Sequence, residues 1–284
     1  MTKKKIIIVK LAGGLGNQLF QFFFGISIAK KESAKVIFDV SFFKDAKDRK
    51  LIIEHILDND LKKILFKKRF LFLNIFTKFP CYKEKNKFFE KIESVKPYQY
   101  FQGYWQNQKY FEDIFNPSKI LKFKSIKPYY QKWYKLLKES NFNVCFIHIR
   151  RGDYINNNKT KKYHGICSDK YYISAMDKQL SYKNDLVFYI FSDNVETTKN
   201  LFSSYKNIYF ISNNFLNSEL DEMYLMSLCK YGILSNSSFS WWSAYLNFNN
   251  VKKHIICPRY WYLNKDLIKK VNPALDNWEK LENF

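Results

Sequence analysis

The sequence predicts an α/β fold of two halves, each built on a parallel sheet, from three observations. Short β-branched and aromatic runs alternate with helix-period segments along most of the chain. The runs are apolar at nearly every position, the pattern of strands covered on both faces. Glycine, serine and asparagine cluster where several of these runs give way to helical pattern, as in the strand-to-helix turn of a βαβ unit.

The first run is Ile6–Leu11, which ends at Gly13–Gly14. After Asn17, residues Leu19, Phe22, Phe23, Ile26 and Ala29 share one helical face, and Val36–Val40 reads as the next strand. Between Asp45 and Lys96 the chain is charged and helical in parts, with Phe72, Phe76 and Phe88 as aromatic anchors. Within that stretch Lys62–Arg69 interleaves charge with Ile64, Leu65 and Phe66, which predicts an amphipathic surface helix. Tyr98–Tyr104 resumes a strand, and Gln106–Phe115 is predicted as a helix.

From Asn143 the alternation becomes regular. Strands are expected at Val144–Ile149, Leu186–Phe191, Ile208–Ile211, Gly232–Ser235 and His254–Cys257. Helices are expected between them at Asp169–Gln179, Val195–Leu201, Ser218–Lys230 and Phe239–Asn247. That order is the composition of a doubly wound parallel sheet. The expected division is an N-terminal Rossmann-like domain over 1–141, a C-terminal one over 142–265, and a tail over 266–284 that packs back. Two such domains imply a cleft between them.

Composition narrows the partners. Hydrophobic residues make up 46% and aromatic residues 19% of the 284, enough for a large core and too many for global disorder. Lys and Arg number 48 against 26 acidic residues, so the net charge is +22 and polyanions are attracted. The cations are spread along the whole length with no nucleic-acid module, so nucleic acid is not the expected partner. Five cysteines lie at wide spacings without C-x-x-C, and Cys145 and Cys257 sit inside apolar runs as buried thiols. No signal-peptide pattern and no window of membrane-span length is present. A cytoplasmic protein is expected, with peripheral contact at the inner membrane left open by the charge.

Chemistry concentrates at Val144–Asp153. Period-two alternation puts His148 and Arg150 on one face with Val144 and Phe146, at the carboxyl end of a buried strand. In open α/β sheets that end is where ligands bind. A buried guanidinium needs an anion, which is either a neighbour such as Asp153 or a bound ligand. Gly13, Gly14 and Gly16 let backbone amides approach an anion at a helix start, although Leu19 breaks G-x-G-x-x-G and no Walker Lys follows. A dinucleotide or ATP site is thereby disfavoured, while the polar Asn17 and Gln18 tip the turn towards a site.

Ser235–Asn236–Ser237–Ser238–Phe239–Ser240 offers more polar groups at a strand-to-helix junction than capping alone requires, which points to a second anion contact. Asp193 ends its strand either as a ribose or base acceptor or as a helix cap. Asp58–Asn59–Asp60 has metal-binding D-x-D spacing but no strand end to present it, and the four histidines are far apart. A diphosphate leaving group whose charge is met by Arg150, His148 and helix-terminal amides, without a metal, fits these residues.

Seven blocks then carry a resemblance. Leu11–Gln21 (LAGGLGNQLFQ), Phe101–Phe111 (FQGYWQNQKYF), His148–Tyr154 (HIRRGDY), His164–Ser168 (HGICS), Phe191–Asn194 (FSDN), Asp221–Cys229 (DEMYLMSLC) and Ser235–Tyr245 (SNSSFSWWSAY) occur in this order. Together they resemble the bacterial α-1,2-fucosyltransferases of glycosyltransferase family 11. The resemblance implies a GT-B fold, two facing Rossmann-like domains, with the donor GDP-β-L-fucose held mainly by the second. It implies metal-independent, inverting transfer of fucose to O2 of a terminal galactose in a β-galactoside-containing glycan acceptor.

On the same basis His148 and Arg150 are expected at the diphosphate. Ser237, Ser238 and Phe239 are expected at phosphate and nucleoside, Asp193 at the guanosine, and Gly14, Gly16 and Asn17 at fucose and diphosphate. More distant fucosyltransferases carry a Glu a few residues beyond the His-x-Arg-Arg-x-Asp block, whereas Ile155–Asn158 has no carboxylate. Asp153 is therefore the candidate base, with proton removal by the departing phosphate as the alternative. Two other functions stay open: a related transferase with another linkage or sugar, and a non-catalytic polyanion- or membrane-surface-binding protein.

Overall fold

The N-terminal apolar run forms a strand because its β-branched residues are covered on both faces and its backbone groups are paired on both sides. In a computed structural model, which describes residues 5–66, 79–85, 88–114, 116–123, 126–151, 162–212 and 218–284, the chain groups into two units, Met1–Phe123 and Lys124–Phe284.

In the first unit strands β1 (Ile6–Lys10), β2 (Lys35–Asp39), β3 (Leu65–Phe66), β4 (Cys81–Lys83) and β5 (Tyr98–Gln102) form one sheet. Its order is β3-β2-β1-β5-β4, and every pairing is parallel. Helix α1 (Leu15–Lys31) is buried almost all round, more than the single apolar stripe of the sequence suggests. One side lies on the sheet, where Phe22 stacks on Phe38 and Gly25 leaves the room that the Phe38 ring occupies. The other side is wrapped by the Phe101–Phe111 block: Trp105 stacks on Phe24 at 4.1 Å, and Phe111 packs on Phe20 and Phe23. Each such fully buried phenylalanine contributes roughly 2 kcal/mol.

This wrapping corrects the helix predicted at Gln106–Phe115. Among the described residues of that stretch only a 3-10 turn forms, Gln108–Tyr110, started by the Asn107 side chain accepting from the Lys109 amide. Trp105, at φ +55°, has turned out of helical geometry to reach α1. Two short helices, α2 (Phe42–Asp45) and α3 (Asn59–Lys63), follow β2. The helix predicted over Lys62–Arg69 is also revised: α3 stops at Lys63, Leu65 and Phe66 pair with β2, and residues 67–69 lie outside the described ones.

The second unit begins with α4 (Pro128–Glu139), ahead of the boundary expected at 141/142. Strands β6 (Val144–Ile149), β7 (Val187–Ser192), β8 (Ile208–Phe210), β9 (Tyr231–Ile233), β10 (His254–Pro258) and β11 (Glu279–Leu281) form an all-parallel sheet in the order β11-β10-β9-β6-β7-β8. Helices α5 (Asp169–Tyr182), α6 (Val195–Lys199), α7 (Glu219–Leu228) and α8 (Ser238–Tyr245) connect them. β6 alternates as expected: Cys145, Ile147 and Ile149 join Tyr171, Tyr172, Ala175 and Met176 of α5 in one core, which leaves Val144, Phe146 and His148 for the opposite face.

The tail closes the sheet. β11 lies beside β10, and the buried side chain of Asn283 accepts from the Tyr260 amide and donates to the Tyr260 carbonyl. Phe284 then covers Gly165, whose φ of +74° and missing Cβ leave the ring its place. Lys253 fixes α7 and α8 from behind, its Nζ donating at 2.6 Å to both Ser227 O and Leu246 O near the helices' ends. No described helix is long and apolar enough to cross a membrane.

Gly165→Ala is expected to destabilise the chain by about 1–3 kcal/mol, because the new methyl meets both a left-handed backbone and the Phe284 ring. Denaturant midpoints measured beside Ile166→Ala separate this effect from generic loss of loop packing, and equal midpoints for wild type and Gly165→Ala would contradict it.

Candidate active site

The strand order of the second sheet places its site. From β6 the chain steps outward through β7 to β8, then returns to the other side of β6 and continues through β9, β10 and β11. The reversal falls between β6 and β9, and the carboxyl ends of the strands at such a point are the usual ligand position of an open α/β sheet. Register pairs Ile147 with Ile233, so His148 projects beyond the end of the short strand β9.

His148 is only 6% exposed, and its Nδ1 lies 2.8 Å from the Ser235 hydroxyl. One hydrogen bond thus joins the ends of the two strands that flank the reversal. The ring packs against Phe239, with centroids 5.4 Å apart. Burial, reinforced by the Arg150 charge, pushes the imidazole down to about 3. At neutral pH His148 is therefore a neutral hydrogen-bonding group, so the positive charge expected here belongs to Arg150 alone of the two.

Arg150 is about one-third exposed and places Nε 3.2 Å from Asp193 Oδ2. Asp193 Oδ1 accepts from the backbone amide of Arg151 at 2.9 Å. The Arg151 guanidinium turns away to Asp169, the first residue of α5. Among the described residues Asp193, just past the end of β7, is a carboxylate beside Arg150; Asp153, the candidate base, lies outside the described residues.

The Ser235–Ser240 stretch divides its labour. Ser237 is the N-cap of α8, its Oγ accepting from the Phe239 amide at 3.3 Å. Ser240 donates back to the carbonyls of Ser235 and Ser237. Asn236 is buried and donates to the carbonyls of His164, Gly165 and Trp261, tying three loops together. Ser237, Ser238 and Phe239 stay half-exposed at the start of α8, where the helix dipole favours an anion. The serine-rich pattern therefore reports scaffold as much as site.

In the first unit the order also reverses, between β1 and β5. Gly13 takes φ +80° in the turn after β1, and Gly14 is the N-cap of α1 with no side-chain cap and open space where a Cβ would stand. Gly16 is buried in the first turn. Asn17 Oδ1 accepts from Gln106 Nε2 at 2.7 Å. Gln18, in contrast, is wholly buried, donating to Gly13 O and Lys50 O while accepting from the amides of Ile52 and Ile53, so its polarity is structural.

Asp169 and Gln106, to which the sequence reading assigns no role, complete these networks, and Ser235 and Asn236, expected within an anion-contacting stretch, serve as brackets between strand ends and loops. Polar side chains directly following apolar strands were the available signal, but their partners are distant in sequence. Asp58 caps α3 and Asp60 pairs with Lys63, so the D-x-D spacing serves a helix end. Among the described residues no group of three or more His, Cys, Asp or Glu is placed to hold a metal ion.

The family model of glycosyl transferase family 11 matches residues 51–282. The chain belongs to this family. It is a glycosyltransferase, and it is 32% identical over 98% of its length, and 99% of the relative's, to an Escherichia coli protein named alpha-1,2-colitosyltransferase. A second Escherichia coli relative, the O-antigen biosynthesis glycosyltransferase WbnK, is 29% identical over 95% of this chain and 99% of its own.

Among solved structures, NodZ alpha-1,6-fucosyltransferase soaked with GDP-fucose superposes with a TM-score of 0.52 at 13% identity, covering 86% of this chain and 93% of its own. POFUT1 in complex with GDP-fucose superposes with a TM-score of 0.55 at 10% identity, covering 89% and 98%. At such identities they establish the fold, which is of the GT-B type: two Rossmann-like units with parallel sheets.

In this family 11 chain the suppressed basicity of His148 has a thermodynamic consequence. Between about 3 and the ordinary value near 6.5 the unfolded chain binds a proton that the folded chain refuses, so stability falls on acidification. The expected slope from this residue is about 1.4 kcal/mol per pH unit within that window. Urea midpoints from pH 7 to pH 4 should drop less steeply in His148→Gln than in wild type, and parallel curves would refute the assignment.

Proposed function

We propose that the chain transfers L-fucose from GDP-β-L-fucose to O2 of a terminal galactose in a glycan acceptor, with inversion and without a metal ion. The observation that carries this is the His148–Ser235 bridge at the strand reversal, which brings Arg150 and the start of α8 to the same sheet edge in a family 11 member. Such an edge suits the diphosphate of a nucleotide sugar.

Arg150 would hold the diphosphate and neutralise charge as the bond to fucose breaks, supported by the α8 amides and by a hydrogen bond from the neutral ring of His148. Ser237, Ser238 and Phe239 would line phosphate and nucleoside. Gly14, Gly16 and Asn17 would meet sugar and diphosphate, since Gly14 leaves space before an uncapped helix start. Asp153 is the candidate base for the acceptor hydroxyl, and a phosphate oxygen of the departing nucleotide is the alternative. A glycan presented at the cytoplasmic face of the inner membrane is the acceptor this reading favours, supported by the O-antigen relative and the net charge of +22.

A second reading, colitosyl transfer from the matching GDP donor, is favoured by the relative of that name at 32% identity. Colitose differs from fucose in lacking the 3-hydroxyl, so both donors present the same diphosphate to Arg150 and the same face to an α-1,2 linkage. Assaying both donors with a panel of β-galactosides decides between them.

Calorimetric titration with GDP in the presence of chelator is expected to show binding, and Arg150→Ala is expected to lower both GDP affinity and turnover by at least about a hundredfold. Retained turnover in Arg150→Ala would remove the mechanism. Indifference to GDP combined with steeply salt-dependent binding to any polyanion would replace it with surface binding.

A further inference from the structure

The pairing of Arg150 has a specific geometry. Both oxygens of Asp193 are engaged at the end of β6: Oδ2 with Arg150 Nε at 3.2 Å, and Oδ1 with the Arg151 amide at 2.9 Å. The turn that carries Asp193 is itself fixed, because the Ser192 amide donates to Ser212 Oγ and Ser192 Oγ accepts from the Asn194 amide. The neighbouring guanidinium of Arg151 pairs with Asp169, so the guanidinium that Asp193 meets is that of Arg150.

We propose that Asp193 is a positioning residue, whose carboxylate sets the plane and direction of the Arg150 guanidinium for the diphosphate instead of reading the guanosine. This deepens the function proposed above and rests on it. A guanidinium recognises phosphate through its planar fork, so its value at the site depends on orientation as well as charge. A carboxylate on the Nε edge fixes that plane. It also offsets part of the cation's charge, so what Asp193 adds is alignment. The same carboxylate pins the backbone immediately after Arg150, which removes the other freedom by which the side chain could swing. Each of its oxygens serves an arginine residue, Oδ2 the Arg150 guanidinium and Oδ1 the Arg151 amide, which is the arrangement that alignment requires.

The two roles differ in what they discriminate. A base-reading carboxylate distinguishes GDP from inosine diphosphate, which lacks the 2-amino group; an aligning carboxylate acts on the diphosphate that both share. With Asp193→Asn, which keeps an acceptor for the Arg151 amide but not the charge, GDP and inosine diphosphate are both expected to bind roughly tenfold more weakly, with their affinity ratio unchanged. With GDP-fucose, kcat is expected to fall along with the rise in KM.

A ratio that collapses towards one would overturn the proposal in favour of base reading, and an unchanged GDP affinity would overturn it outright. If Asp193→Asn fails to fold by circular dichroism, Asp193→Glu carries the same ratio, since it keeps the charge and displaces it by one methylene. Wild-type protein that ignores GDP would remove the proposed function and this inference together, whereas normal wild-type binding beside an unaffected variant removes the inference alone.

Discussion

A hydrogen bond between two buried side chains, His148 and Ser235, holds the candidate-site edge of the second unit together. Its partners leave the sheet on adjacent strands that belong to opposite windings, and burial keeps the imidazole uncharged. A charged ring there would repel Arg150 and would be costly to desolvate; a neutral one can bridge the strands and leave the cation to its neighbour. Asn236, next to Ser235, extends the same logic by satisfying carbonyls from the His164–Gly165 and Trp261 loops with a single amide.

The first unit solves a similar problem with different residues. Its strand reversal lies between β1 and β5, and the buried side chain of Gln21 spans it, accepting from the Ala12 amide and donating to the Gly103 carbonyl. Glu84 steadies the β5 side by accepting from the amides of Tyr104 and Trp105, where the backbone takes the left-handed conformation at Trp105. That conformation is held because the indole is wholly buried and stacked on Phe24. In both units a buried side-chain amide ties loops at the sheet edge, so polar satisfaction fixes the loops that present the exposed groups.

Much of the α/β pattern was legible because burial on both faces imposes uninterrupted apolar runs. Val144–Ile149 is the strand the sequence predicts, to the residue, and the other four strands predicted in the second half differ by only a residue or two at their ends. The helix predicted at Gln106–Phe115 does not form because the Tyr110 and Phe111 rings pack individually against α1. Leu65–Phe66 and Glu279–Leu281 were missed because two- and three-residue edge strands carry no periodic signal and exist only by pairing with β2 and β10. At the site, the residue types and strand-end positions of His148, Arg150 and Asp193 were readable, whereas their mutual contacts were not. Gln18, polar beside a glycine turn, points by sequence to a site, and the structure makes it a buried bracket for Ile52 and Ile53.

The sequence by itself determined which segments are buried, where strands hand over to helices, and which family's blocks the chain carries, since each of these is written in local composition and spacing. Only the tertiary structure decided that Arg150 meets Asp193, that His148 bonds to Ser235, and that Asn17 meets Gln106. Those pairs are separated by tens of residues along the chain, and strand order and register, which local pattern leaves undetermined, are what bring them within hydrogen-bonding distance.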